Sequence, residues 1–578
     1  MKLQKNKKKL LLLISLIAYL LALFFLLQDQ PAWIINRGTI LLTASFILFF
    51  SFFYQFNPRK KKRKINLSRR LPLLLLFFAS LLLNTYKLNQ ISSGFHGDEA
   101  ETALQAQKIL ERENNRLIDT SSWYHVPMPS FLPHTLTQAI AGNNIFGARL
   151  ASAITGALAL VIFYLFVKEN FDPITALIAS LFLLTSHWWL AFSRLAINYI
   201  QTPLFQLAVF LFLTRAFKNQ RKLDFFLAGF FTGLSPALYF ASRLVPILVI
   251  AWFLLWFKND FKKWKGFFRQ RLPAFLIGLL FFSLPLGFYY LKNPGTFNSR
   301  ANNVFLFSPQ VKIWLDDVYG TNQGPFFLIL KQTQASFNFT KAGGDASGQY
   351  GYQGPILGTI TLTATFTGLL ICFLKRHRPI YPFLVFWLLI THLLGSILVV
   401  PPRFMPRLVG IIPLFFLLSA LPLSSLTKTK RIPLKVSWAI ISALLLIVGF
   451  KNLKIYFFDN PQKVVGHISN YAATRLAFFL EEQKESPNFI FLTQPYLYHN
   501  YSTLRFLAPS ERKIIIPPNP EQYQPKELKE KTIFIIYHQY STILKTIVKH
   551  YPQGKLASLK SPEGQTLIFV YQADPSED

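Results

Sequence analysis

The chain is poor in cysteine and in acidic residues. Cys372 is the only cysteine among 578 residues, so no intramolecular disulfide can form and the redox compartment is not readable from it. Asp and Glu number 26 against 61 Lys and Arg, and the resulting net charge of +35 suggests nucleic acid as one class of partner. The basic residues, however, are not gathered on one domain or interleaved with recognition motifs, but separate apolar segments. We therefore expect no nucleic-acid partner.

Long apolar segments dominate the chain. Hydrophobic residues make up 52% of it and Phe alone occurs 60 times, which excludes a set of soluble domains. The Leu-rich run near the N-terminus has no small-residue cleavage site after Leu27 and predicts an uncleaved first span. The expected fold class is a polytopic α-helical membrane protein of about thirteen transmembrane helices. The candidate spans are 10–27, 38–56, 71–88, 146–167, 174–192, 196–217, 223–241, 244–257, 273–291, 356–374, 379–400, 404–424 and 434–454.

Clusters of Lys and Arg predict the orientation, because such residues are retained on the cytoplasmic side. They fall at alternate ends of successive spans: Lys2–Lys9, Arg59–Arg70, Arg215–Lys222, Lys258–Arg271, Lys375–Arg378 and Lys428–Lys435. This alternation predicts a multi-pass protein of the cell (plasma or inner) membrane. The loops 87–145 and 293–355, and everything after residue 454, are then extracytoplasmic.

Composition divides the chain into three parts: 1–70 with two spans and a basic cytoplasmic loop, 71–454 with the remaining spans, and 455–578. In the last part spans stop and charges of both signs become frequent. Helical patterns at 461–483 and 540–550 alternate with β-rich runs at 488–493, 513–517, 532–537 and 566–571, which predicts a small extracytoplasmic α/β domain. This part shows no phosphate-binding loop, nucleophile elbow or metal-ligand spacing, so its role is not readable.

A small acidic segment, Ile91–Glu101, follows the third apolar run. Its carboxylates Asp98 and Glu99 precede a helical pattern typical of a helix lying along a membrane surface. A structural alternative is that Asp98 is a helix N-cap, with Glu101 completing a capping box. The predicted position of Asp98 and Glu99 favours a catalytic role over a purely structural one. If the substrate is a lipid-linked sugar, a carboxylate at the outer mouth of a helix bundle can take a proton from an acceptor hydroxyl.

Four arginines share that outer rim, where topology does not require positive charge: Arg194, Arg243, Arg403 and Arg407. The planar guanidinium fork suits phosphate oxygens, and cations there can stabilise a phosphate as it leaves a sugar. The alternative for each is that its side chain reaches to lipid headgroups or pairs locally.

Several short motifs, in this order, resemble a known family. They are Gly97-Asp98-Glu99-Ala100, the proline-rich loop around Pro127 and Pro129, Phe146–Ser152, Ser193-Arg194 after His187-Trp188-Trp189, Asn293-Pro294 to Arg300, Gly344-Asp345, and Pro402-Arg403-Phe404. Over about residues 71 to 424 the chain resembles the polyprenyl-phosphate-sugar glycosyltransferases of the C-type fold. It is most similar to bacterial members of glycosyltransferase family 39, related to protein O-mannosyltransferases and aminoarabinose transferases.

The resemblance implies a C-type fold, with Asp98 as catalytic base and Glu99 beside it. It implies a polyprenyl-phosphate sugar as donor and a glycan, lipid or protein as acceptor at the bilayer surface. The four arginines are then candidates for donor-phosphate binding, and the possible substrate-binding residues are His96, His125, Arg149, Arg300 and Asp345. Relatives often have a lysine before the paired prolines, where this chain has His125. Either His125 or an arginine takes over phosphate binding there, or His125 is a neutral histidine at the membrane interface, which is the interpretation we favour.

We expect no cofactor and no metal. The mannosyl and aminoarabinosyl transferases that the chain resembles do not require one, whereas oligosaccharyltransferases of the wider fold do, so a divalent ion remains an alternative. The sequence shows no clear cluster of metal ligands.

Two rival classes are a lipid or glycan transporter, including a flippase, and a non-catalytic membrane scaffold. A transporter should show inverted repeats or charges near the middle of spans, and the apolar runs are nearly free of acids. A scaffold predicts that Asp98 and Glu99 are dispensable. A ligase that uses a polyprenyl-diphosphate glycan fits the same residues as the leading hypothesis.

Overall fold

The structure is a computed structural model that describes residues 2–28, 36–54, 67–92, 94–113, 117–118, 125–258, 261–338, 344–462, 468–483, 487–509 and 512–575. Most of the predicted basic loop at 59–70, and residues 342 and 343 of the glycine-rich segment at 342–354, lie outside these residues.

Helices form nearly all of the described chain up to residue 454. They are α1 (Lys2–Leu27), α2 (Arg37–Tyr54), α3 (Leu67–Thr85), α4 (Gly97–Leu110), α5 (Leu132–Ala141), α6 (Ile145–Asn170), α7 (Pro173–Thr185), α8 (His187–Arg194), α9 (Gln201–Asn219), α10 (Lys222–Leu234), α11 (Val245–Phe257), α12 (Phe261–Gln270), α13 (Leu272–Lys292), α14 (Pro294–Asn302), α15 (Lys312–Tyr319), α16 (Pro325–Ser336), α17 (Thr359–Leu374), α18 (Ile380–His392), α19 (Ile412–Leu426) and α20 (Leu434–Lys454).

The apolar helices confirm a multi-pass membrane protein. Within the described residues, nine helical segments are long and apolar enough to cross a membrane. Three shorter apolar helices accompany them, Arg70–Thr85, Pro173–Thr185 and Thr359–Leu374. The predicted span 223–241 corresponds to α10, which ends at Leu234 and continues as a 3-10 turn. The total of thirteen spans stays a prediction.

Helix α10 packs closely against α13 through glycines. Gly229 and Gly233 are four residues apart on α10, and Gly278 lies on the facing side of α13. A Cβ added to Gly229 would stand 2.0 Å from the carbonyl oxygen of Phe275, and one on Gly278 would stand 2.1 Å from that of Phe226. Membrane helices use such small residues to bring their backbones together. This contact places α10 inside the bundle.

We expect Gly278→Ala to lower the free energy of unfolding by about 1–3 kcal/mol, because the methyl group overlaps a backbone oxygen that cannot swing away. Gly287 is the matched control on the same helix, since an added Cβ there meets nothing within 4 Å. Gly287→Ala should be neutral or stabilising by up to about 1 kcal/mol through helix propensity. Thermal unfolding of the detergent-solubilised full chain compares the two. Equal melting temperatures would contradict close packing of α10 on α13.

The C-terminal part forms a separate α/β unit with its own apolar core, as predicted. Its strands are β1 (Asn488–Leu492), β2 (Ile514–Ile515), β3 (Thr532–Tyr537), β4 (Lys555–Lys560) and β5 (Thr566–Ala573), and its helices are α21 (Ile468–Glu482), α22 (Ser502–Leu507) and α23 (Ser541–His550). The sheet order is β2-β1-β3-β5-β4. β1 pairs in parallel with β2 and β3, while β5 pairs antiparallel with β3 and β4.

Sequence patterns predicted four of the five described strands but neither β4 nor α22. β4 is an edge strand that is exposed along almost its whole length and begins and ends with lysine. It therefore lacks the apolar alternation by which a half-buried strand is detected. α22 has only six residues, too few for a helical period to stand out.

Candidate active site

The acidic segment forms the first turn of α4, and His96 is the residue that caps it. The Asp98 N–H donates to His96 Nδ1 at 2.9 Å, and the His96 N–H donates to Glu99 Oε2 at 3.1 Å. Together these two bonds make a capping box built from His96 and Glu99. The alternative interpretation, with Asp98 as the cap and Glu101 closing the box, is therefore wrong. Capping does not occupy the Asp98 carboxylate.

Glu99 is fully buried and makes a bidentate ion pair. Arg149 Nε donates to Glu99 Oε1 at 2.8 Å, and Arg149 Nη2 donates to Oε2 at 3.0 Å. The backbone N–H of Ala196 donates to the same carboxylate at 2.9 Å. The side chain of Glu99 is 0% exposed and that of Arg149 is 1% exposed. We therefore reassign Glu99, predicted to act beside the base, to holding the loop in place.

Arg149 hydrogen-bonds to the backbone of the segment that leads into α4. Besides Glu99, its guanidinium donates to the carbonyl oxygens of Leu88, Ile91, Ser92 and Gly94. These bonds, with the ion pair, engage all three guanidinium nitrogens inside the protein. The assignment of Arg149 to substrate binding is accordingly corrected, since the structure shows it shaping the loop.

Arg194, which was predicted to bind phosphate, hydrogen-bonds to the C-terminal end of α3. It is 1% exposed, and it donates to the carbonyl oxygens of Leu83 and Asn84 at 2.8 and 2.9 Å and to that of Tyr86 at 2.7 Å. The last carbonyls of a helix lack partners within it, and an arginine there satisfies them. Tyr456 covers the guanidinium and accepts from its Nε. Arg194 therefore has no surface to offer a phosphate group.

Asp98 differs from Glu99 in being reachable. Its side chain is 23% exposed. Gln349 Nε2 donates to Asp98 Oδ2 at 2.6 Å, across 251 residues of sequence. On another side lies Tyr501, whose pKa is raised by burial and, in addition, by the charge of Asp98. Asp98 is thus, of the two neighbouring carboxylates, the one that is open to solvent.

Two of the predicted arginines border the same space as Asp98. Tyr199 and Tyr239 form a ring pair with centroids 4.6 Å apart. Asp98, Arg300 and Arg407 each act electrostatically on both tyrosines. The Asp98 carboxylate and the guanidinium groups of Arg300 and Arg407 therefore lie near enough to one aromatic pair to act on it electrostatically.

Arg243 and Arg403 are the two remaining arginines that were predicted to bind phosphate. Arg243 lies over the rings of Phe240 and Phe297 and donates to the Phe297 carbonyl oxygen at 2.8 Å, which fixes α14, the helix that carries Arg300. Arg403 has a left-handed backbone with φ 57°. The Nε of each is buried without a hydrogen-bond partner among the described residues. Both keep their predicted capacity for phosphate, which the contacts of the structure do not test.

Asp345, predicted to bind substrate, holds a loop together. Its carboxylate, 3% exposed, accepts from the backbone and hydroxyl of Ser347 and from the backbone of Gly351 and Met405. Burial raises the pKa of Asp345 to about 6, although these four donors act to lower it. The bond from Met405 ties the segment 344–354 to the turn after Arg403. His125, the other polar candidate, is half-buried in a left-handed turn with φ 55°, and its predicted role stays a prediction.

The C-terminal unit holds the loop that carries Asp98. The N–H of Phe95 donates to Thr474 Oγ1 at 2.8 Å, and Thr503 Oγ1 donates to the Phe95 carbonyl oxygen at 3.0 Å. The N–H of Gly97 donates to Asn470 Oδ1 at 3.3 Å. Helices α21 and α22 thus hydrogen-bond directly to the residues just before Asp98. The domain that sequence patterns left without a role is part of the site.

Sequence reasoning missed Gln349, Tyr199, Tyr239 and Tyr501. Gln349 lies in a glycine-rich segment that also fits a plain linker, and single tyrosines beside apolar spans are common at membrane interfaces. The nearness of Tyr199 to Arg194 and of Tyr239 to Arg243 in sequence was the one available signal. In the described part of the chain no three His, Cys, Asp or Glu side chains lie close enough together to hold a metal ion.

Comparisons with known proteins bear on the fold and the family of the chain. Residues 124–288 match the family described as dolichyl-phosphate-mannose-protein mannosyltransferase. ArnT from Cupriavidus metallidurans bound to undecaprenyl phosphate superposes with a TM-score of 0.53 at 12% identity, covering 88% of this chain and 100% of that one. ArnT in the apo state gives 0.51 at 13% identity, with the same coverage. No curated protein matches the chain significantly.

The two ArnT superpositions establish the fold, because identities this low carry no more than that. The family match begins within the segment between α4 and α5 and extends through most of α13. Together they confirm the resemblance predicted from the motifs: this chain is a membrane protein of the C-type glycosyltransferase fold, similar over residues 124–288 to the dolichyl-phosphate-mannose-protein mannosyltransferases.

Proposed function

We propose that the chain is a membrane glycosyltransferase that moves a sugar from a polyprenyl phosphate to an acceptor hydroxyl. The observation that carries this proposal is the placement of Asp98 with Arg300 and Arg407 around the tyrosine pair Tyr199 and Tyr239. A base and two cations near the same tyrosine pair are the groups that transfer of a phosphate-linked sugar needs.

The reaction is a direct displacement at the anomeric carbon. Asp98 takes the proton from the acceptor hydroxyl while the oxygen of that hydroxyl bonds to the anomeric carbon. The bond from the anomeric carbon to the phosphate oxygen breaks, and Arg300 and Arg407 stabilise the negative charge that collects on the departing phosphate. The polyprenyl phosphate leaves with the bonding electron pair, so no cofactor is required to balance the step.

The alternation of basic clusters supports a cell membrane location with Asp98 on the extracytoplasmic side. The donor's lipid tail then lies along the bundle, its phosphate lies at headgroup level, and the acceptor arrives from water. ArnT, which shares the fold, has been crystallised with undecaprenyl phosphate. The acceptor is a glycan, lipid or protein of the cell envelope.

The experiment uses membranes with and without the full chain and a panel of radiolabelled polyprenyl-phosphate sugars. Membranes containing the chain are expected to consume one donor of the panel and to release unlabelled polyprenyl phosphate. The labelled product identifies the acceptor. A parallel panel of polyprenyl-diphosphate glycans tests the ligase alternative, and consumption confined to that panel would overturn the proposed donor.

A further inference from the structure

The side chain of Gln349 is held at Asp98 by anchors on both sides of it. Four residues before it, Asp345 binds the backbone of Met405. One residue after it, the Tyr350 hydroxyl lies 2.7 Å from His187 Nδ1, and both side chains are buried. A glutamine placed between two such anchors has little freedom to leave. The conformation of the segment 344–354 therefore holds the Gln349 side chain in contact with Asp98.

The two ends of the Gln349 amide are in different situations. Nε2 donates to Asp98 Oδ2 at 2.6 Å. Oε1 is buried and has no hydrogen-bond partner among the residues that the structure describes. An amide oxygen is an acceptor only, and leaving it buried and unpaired is unfavourable. A hydroxyl that enters beside Asp98 can satisfy it.

We propose that Gln349 positions the Asp98 carboxylate for proton transfer and accepts a hydrogen bond from a second hydroxyl of the bound substrates, on the donor sugar or on the acceptor. This inference rests on the proposed function. The donated bond holds Oδ2, which leaves Oδ1 to take the proton of the attacking hydroxyl. The unpaired Oε1 makes the site selective, because a site built to hydrogen-bond a hydroxyl rejects analogues that lack it.

Other titratable groups also face Asp98, and the test must leave them unchanged. On its own loop, His96 Nδ1 lies 3.8 Å from Asp98 Oδ1. From the C-terminal unit comes Tyr501. From the helix bundle come Tyr199 and Tyr239, on which Arg300 and Arg407 also act electrostatically. Substitution of Gln349 alters none of these residues.

The experiment compares Gln349→Met and Gln349→Glu with the native chain. Gln353 supplies matched controls, Gln353→Met and Gln353→Glu, because it lies in the same segment and donates to the Gly351 carbonyl oxygen at 3.0 Å. Membranes containing each full-length variant at equal amounts are supplied with the labelled polyprenyl-phosphate sugar that the native chain consumes. Initial rates are measured against donor concentration and pH, and thermal unfolding confirms that each variant is folded.

We expect Gln349→Met to lower kcat by about tenfold to a hundredfold, since a misplaced catalytic group costs that much. Because the hydrogen bond donated by Gln349 stabilises the charged carboxylate, its loss should move the acid limb of the pH–rate profile to higher pH. Gln349→Glu places a second negative charge beside the base and should move that limb further. Both Gln353 variants should follow the native profile.

The donor KM identifies which molecule supplies the second hydroxyl. A KM that rises in Gln349→Met assigns the hydroxyl to the donor sugar, and an unchanged KM with a lower kcat assigns it to the acceptor; either result supports the inference. Native pH profiles in both Gln349 variants would overturn it, as would equal changes in the Gln353 variants. If the native chain consumes no donor at all, the proposed function fails first and the inference with it.

Discussion

Replacement of Asp98 by Asn is expected to reduce sugar transfer by about 10²–10⁴-fold, the range that a general base contributes. Asparagine keeps the size of the side chain but cannot take a proton from the acceptor hydroxyl. His96 and Glu99, which form the cap, are untouched, so α4 should still begin at Gly97. The measurement is the initial rate of labelled donor consumption by membranes that contain equal amounts of the native chain and of Asp98→Asn.

Glu101→Gln is the matched control, because the same chemical change is made one helical turn away. Glu101 accepts from Ser502 Oγ at 2.8 Å and from Gln105 Nε2 at 3.2 Å, and no step of the proposed reaction uses it. We expect the transfer rate of Glu101→Gln to stay within about threefold of native, since Glu101 contacts neither Asp98 nor Arg300 and Arg407. Equal rates for the native chain and Asp98→Asn would refute the assignment of the base and would favour the scaffold hypothesis.

Arg149→Met is expected to lower the free energy of unfolding by about 3–5 kcal/mol, because it leaves the Glu99 carboxylate buried without its counter-charge. The same change removes the donors that hold four backbone carbonyls ahead of α4. Methionine fills much of the volume, so the loss is electrostatic and not a cavity effect. Thermal unfolding of the purified full chain in detergent measures the change.

A second arginine–glutamate pair in the same chain provides the comparison. Arg215 and Glu169 are joined at 2.7 Å, but their side chains are 30% and 24% exposed. Exposed pairs contribute about 0–1 kcal/mol, because water screens the charges and solvates the partner that remains. Arg215→Met should therefore shift the melting temperature much less than Arg149→Met. Similar shifts for both variants would contradict the role given to the buried pair.

Composition and periodicity were sufficient for the architecture. Apolar runs identify membrane helices because the bilayer core admits few polar groups, and this signal is local to each segment. The helix after Asp98 and four strands of the C-terminal sheet were found in the same way, from the period of their apolar residues. β4 was not predicted, because an exposed edge strand has no buried face and its sequence therefore shows no apolar alternation.

The roles of individual polar residues were predicted less well. Asp98 was selected from its place in the chain, and the structure adds why it differs from Glu99: Arg149 encloses one carboxylate and leaves the other open. Arg194 has the composition and location of a phosphate ligand, yet it satisfies the end of α3. Local sequence does not reveal which carbonyls an arginine will meet, because those carbonyls come from another helix.

By itself the sequence determined the fold class, the apolar helices and the acidic segment that carries the candidate base. The tertiary structure decided which carboxylate is buried, which arginines share the space around Tyr199 and Tyr239, and that Gln349 and the C-terminal unit reach the loop of Asp98. The physical reason is separation along the chain. Hydropathy acts within each segment, whereas the hydrogen bonds and charges of the site join residues up to several hundred positions apart, and folding alone brings them together.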